Sequence, residues 1–65
     1  MEDKYRHMTS EQLKSEAINL LKEIKEAGFI AMDAYKYLQL EKPDLHNHLQ
    51  EMGIGFPELW RAVNN

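Results

Sequence analysis

Apolar residues return at three- and four-residue steps through Leu13, Ala17, Leu20, Leu21, Ile24 and Ala27, the spacing of a single stripe along an α-helix. The stripe stops at Gly28, the residue type best able to adopt a left-handed C-terminal cap. It starts after Thr9-Ser10-Glu11-Gln12, where a hydroxyl and an amide stand three residues apart, the spacing of a capping box. Turned at about a hundred degrees per residue, the remaining positions place Lys14, Lys22 and Lys25 on one flank and Glu16, Glu23 and Glu26 on the other. Ile18 falls among the lysines. Pairs such as Lys22 with Glu26 would stabilise an ordinary solvated face.

Beyond Gly28 the pattern predicts that Phe29 and Ile30 drop into the core as the chain reverses into a second helix, from about Ala31 to Leu38. Ala31, Ala34, Tyr35 and Leu38 would share its inner side, with Met32 and Tyr37 toward the outer sides. Pro43 suits the first position of a third helix, where its missing N–H costs nothing, and Asp44 beside it favours the positive end of the helix dipole. That helix is expected to run to Met52. It would bury Leu45, Leu49 and Met52, leave His48 at the boundary, and turn His46, Asn47 and Gln50 outward. Gly53 ends it, and Phe56-Pro57 open a last short helix with Phe56, Leu59, Trp60 and Val63 on its apolar face. There is no internal repeat, and the alternation that a strand would need is missing. The expected fold is all-α, three to four short helices, with Leu20, Ile24, Leu38, Leu49 and Trp60 converging on one interior.

A chain of 65 residues accommodates one domain, near the lower size at which a hydrophobic core suffices. Residues 1–8 mix both charge signs without an apolar period and are expected to form a flexible tail, leaving 9–65 as the helical domain. His7-Met8 also resembles a cloning junction, in which case the natural chain would begin at Met8. With no cysteine there is neither a disulfide nor chemistry at sulfur. No apolar run is long enough to span a bilayer and the N-terminus lacks a secretory apolar segment, so a soluble, cytoplasmic protein without a membrane partner is expected. The formal charge of −3 argues mildly against strong non-specific binding to nucleic acid.

The stretch from Ala34 to Leu49 resembles the helix-turn-helix, the bihelical DNA-binding module in general. Leu38 and Leu40 would close the first of its helices over the turn, Pro43 would open the second, and Leu45 and Leu49 would pin that helix to the core. The resemblance implies a small transcription regulator on double-stranded DNA, with the third helix presenting His46, Asn47 and Gln50 to base edges and Lys42 and Lys36 to phosphate. Glu41, Asp44 and Glu51 border the same surface with the wrong sign. A homodimer would be usual for such a module, and Ile18, Ile30, Met32 and Tyr37 are the candidate contact residues. The acidic balance supports a second reading, a protein-binding adaptor or inhibitor of the size seen in phage-encoded regulators, using the same helical surface without DNA. Two further likenesses divide in the same way. Gly53-Ile54-Gly55 is similar to the Gly-hydrophobic-Gly turn of helix-hairpin-helix motifs, which would hold a DNA phosphate. The segment through Val63 is loosely similar to the end of sterile-alpha-motif domains, which are protein-interaction modules.

Catalytic and metal chemistry find little support. His46 and His48, two positions apart on a helix, diverge by about two hundred degrees and cannot chelate one ion together. There is no nucleophile elbow, phosphate-binding loop or candidate buried acid–base pair, so the expectation is a non-enzymatic protein without a cofactor.

Overall fold

Thr9 starts the longest helix through both halves of a capping box. The Gln12 backbone N–H donates to Thr9 Oγ1 at 3.2 Å, and the Thr9 N–H donates to Gln12 Oε1 at 2.9 Å. The resulting α1 (Ser10–Glu26) is followed by α2 (Ala31–Glu41), α3 (Pro43–Glu51) and α4 (Phe56–Val63) in a computed structural model that describes residues 5–65. No strand is present among the described residues, and the architecture is a small all-α domain. α1 is the brace: it touches each of the other helices and lies most extensively against α4, while α2 packs along α3. A Cα radius of gyration of 11.1 Å matches the roughly 11 Å expected for a collapsed chain of this length. No helix among the described residues is long and apolar enough to cross a membrane.

Leucine fills the centre. The largest fully buried side chains are Leu13, Leu21, Leu38, Leu45, Leu49 and Leu59, drawn from all four helices. Ala17 and Ala34 are also fully buried, and Ile24, Ile54, Val63 and Tyr5 complete the cluster. Each leucine removed from water contributes on the order of 1.5–3 kcal/mol. No side-chain polar atom among the described residues is buried without a partner, so no desolvation cost offsets that gain.

Two glycines end helices by the same device. Gly28 (φ +97°) and Gly53 (φ +73°) adopt the left-handed conformation that other residues resist. After α1, the Gly28 N–H donates to the Lys25 carbonyl and the Phe29 N–H to the Ile24 carbonyl. After α3, Gly53 donates to Gln50 and Ile54 to Leu49. Both are Schellman motifs, in which the residue after the glycine can fold back on the helix just ended. Ile54 does so and is buried; Phe29 stays 38 % exposed, its ring edge-on to Tyr37 at 6.1 Å.

The expected core needs several corrections. Tyr5 is 8 % exposed and belongs to the core cluster, and Met8 packs against it, so residues 5–8 are part of the domain and not a tail. Met8 is tied back by its N–H to the Tyr5 carbonyl at 3.1 Å. The remainder of the expected tail, 1–4, lies outside the described residues. Met52 is 46 % exposed because α3 stops at Glu51 and the left-handed turn at Gly53 carries Ile54 inward instead. Ile30 remains 63 % exposed because it is the N-cap of α2, in extended conformation, at a reversal made on the surface. α2 continues past Leu38 to Glu41, and Leu40 is 77 % exposed: two positions from Leu38 it points the opposite way, so only one of them can face the core. Leu20 and Trp60 pack against the core half-buried. Ile18 and Tyr37, expected on an outer surface, do the same, which leaves Ile30 and Met32 as the exposed members of that candidate contact set.

Candidate interaction site

Helical phase determines which side chains can meet beside α2. On that helix Tyr35 lies about sixty degrees from both Met32 and the buried Leu38, at the boundary between the core side and the exposed side that Met32 occupies. On α3, His46 and Gln50 share a flank one turn apart, and on α4 Phe56 and Trp60 do likewise. Packing brings these three flanks together. The His46 ring meets Tyr35 edge-on at 5.7 Å, Tyr35 meets Phe56 at 5.0 Å, and Phe56 stacks on Trp60 at 5.7 Å with 20° between planes. A row of rings therefore runs across three helices, and every member is half-buried. Such tilted and edge-on arrangements follow the ring quadrupole and hold the row in place.

Next to this row lies an open concavity of about 560 Å³, lined by Ala31, Met32, Tyr35, Gln50, Gly55, Phe56 and Pro57. None of the lining residues carries a charge. Met32, 66 % exposed, forms one wall, and the Gly55-Phe56-Pro57 corner at the start of α4 forms the other. Pro57 lies in the first turn of α4, so it adds apolar surface at a place where its missing N–H has no partner to lose.

The residues proposed from sequence separate in space. Gln50 lines the concavity and His46 touches its central ring. Lys42 is half-buried and is the single residue between α2 and α3, with φ −131° and ψ 55°. A helix-turn-helix usually joins its helices through three or four residues. Lys36 is exposed one turn after Met32, and Asn47 is exposed on the outward side of α3. Two of the acidic neighbours, Asp44 and Glu51, lie on the His48 side of α3, and Glu41 is exposed at the end of α2. Glu51 reaches His48 Nδ1 at 3.6 Å. Glu58 pairs with Lys14 of α1 at 3.3 Å. The two histidines likewise diverge, His46 toward Tyr35 and His48 toward Tyr5 at 6.4 Å.

Sequence reasoning treated Tyr35, Phe56 and Trp60 as core and so missed them as site residues. The available signal was the i, i+4 aromatic pair Phe56/Trp60 in a domain whose leucines already suffice to fill the interior. Comparison with known families, with curated proteins and with solved structures finds no match.

Proposed function

We propose that this chain is a small non-enzymatic protein-interaction module, an adaptor or inhibitor that receives a segment of its partner in the Met32–Tyr35–Phe56 concavity. The observation that carries this reading is the half-exposed ring row beside an uncharged concavity. Aromatic residues and methionine left accessible around a desolvated centre are what protein interfaces select, because they supply large contact area with few rotamers to freeze. Regulation by duplex DNA receives less support from the same geometry. A recognition helix would have to present the outward side of α3, and there Asn47 is accompanied by Asp44 and Glu51, which repel phosphate.

The test is a pair of selections with the same immobilised protein. A displayed library of random peptides is expected to yield binders that are lost when Met32→Gln replaces the wild type. A library of random DNA duplexes at low salt is expected to yield none. Enriched duplexes whose retention depends on Asn47 and Lys42, with no peptide that depends on Met32, would replace this reading by the DNA-binding one.

A further inference from the structure

We infer that Met32 is a site of reversible oxidation, at which a peroxide closes the concavity to its occupant, an inference that rests on the interaction-module reading above. The described methionines stand in three different surroundings. Met32 is the most exposed of them and walls the concavity; Met52, at the C-cap of α3, is less exposed and does not line it; Met8 is half-buried against the core. Oxidation follows exposure, so the Met32 sulfur is open to a peroxide with the fold intact, whereas packing shields Met8.

The reaction asks nothing of the protein but access. A sulfur lone pair takes one oxygen from hydrogen peroxide as the O–O bond breaks; the thioether is oxidised by two electrons and the peroxide is reduced to water. A polar, chiral sulfoxide then stands where a flexible apolar side chain stood. Its place in the fold gives that change a consequence. Ala31, Tyr35, Gly55, Phe56 and Pro57 complete an uncharged and largely apolar surround, and an apolar anchor seated against them would cover the sulfoxide oxygen and strip it of water. In the free chain the same oxygen stays hydrated, because Met32 is turned to solvent, and the interior is untouched. Oxidation here therefore separates binding from folding. At Met52 the same chemistry leaves the concavity unaltered, which makes that methionine an internal control.

The experiment treats the full chain with graded doses of hydrogen peroxide. It reads each methionine by peptide mass mapping, the fold by thermal melts, and the concavity by the fluorescence of Nile red, an uncharged apolar dye. Met32 should be oxidised first, ahead of Met52 and well ahead of Met8. Its oxidation should weaken dye binding by about fivefold or more with the melting temperature unchanged, and methionine sulfoxide reductases should restore binding. Met32→Leu should bind the dye as the parent does and keep it after peroxide, whereas Met52→Leu should lose it on oxidation as the parent does. Oxidation of Met8 as fast as Met32 overturns the inference, since exposure would then not govern the reaction. Dye retained by a chain fully oxidised at Met32, or lost on oxidation of Met32→Leu, overturns the switch and leaves the interaction module standing. A reduced chain that binds no dye, or binds it equally well as Met32→Gln, takes the concavity out of apolar binding and removes both readings.

Discussion

The two sides of α2 are built from different materials. Its inner side, Ala34 and Leu38, joins an interior whose largest fully buried side chains are all leucines, whereas its Met32–Tyr35 flank joins His46, Phe56 and Trp60 in a row of half-buried rings. Of the six Phe, Tyr and Trp residues only Tyr5 is buried, while Tyr37, Phe56 and Trp60 pack half-buried against the core. Flexible, well-fitting leucine serves cohesion; rigid rings left at the surface keep contact area in reserve. The contrast separates folding from recognition within a very small chain, since a change on one side of α2 need not disturb the other.

Substitutions on the two sides should therefore have opposite signatures. The largest effect is expected at Leu49, fully buried on α3, where Leu49→Ala should cost about 2–5 kcal/mol and leave a substantially unfolded population in a thermal melt followed by circular dichroism. A melt unchanged from the parent would mean that the leucine interior is not the source of cohesion. Tyr5→Ala comes next, with a loss of about 1.5–3 kcal/mol from the burial it forgoes, read as a lowered urea midpoint. An unaffected midpoint would move residues 5–8 back outside the domain. Gly53→Ala should cost about 1–2 kcal/mol through backbone conformation alone, because a Cβ at this position meets nothing within 4 Å. The smallest effect on stability belongs to the recognition side: Met32→Gln should alter the unfolding free energy by less than about 0.5 kcal/mol while weakening peptide binding in the selections above. Leu40→Gln sharpens that last comparison, since Leu40 is more exposed than Met32 but does not line the concavity; it should leave both stability and binding unchanged. Equal loss of binding in the two variants would show that exposed apolar area in general, and not the concavity, governs association.

Much of the fold was legible because helices announce themselves locally. Thr9 with Gln12, Gly28, Pro43, Gly53 and Pro57 each act within a turn or two of chain, and the observed helices begin and end at or beside them. Periodicity likewise gave the burial of Leu13, Ala17, Leu45 and Leu59. Errors arose where two apolar residues competed for one place. Met52 and Ile54 both could have closed the end of α3, and the Schellman turn selected Ile54; Leu38 and Leu40 both could have faced inward, and α2 continued as a regular helix that admits one. Tyr5 was missed because a single ring preceding a helix has no period to reveal it.

The candidate site was legible only in part. His46 and Gln50 were readable as outward-turned neighbours on α3, since their spacing alone puts them on one flank. Their partners were not, because Tyr35 and Phe56 are separated by two helix ends and nothing in a one-dimensional pattern states which flank of α2 the start of α4 will meet. The sequence by itself determined an all-α chain of three to four helices, the capping box of α1, the glycine ends of α1 and α3, and most of their apolar stripes, all consequences of bonds and phases within a few residues. Tertiary packing alone decided that α2, α3 and α4 turn their aromatic flanks toward one another, and that Glu58 of α4 pairs with Lys14 of α1. Helix phase is a local property, whereas the meeting of three helices depends on how they pack against α1 and each other.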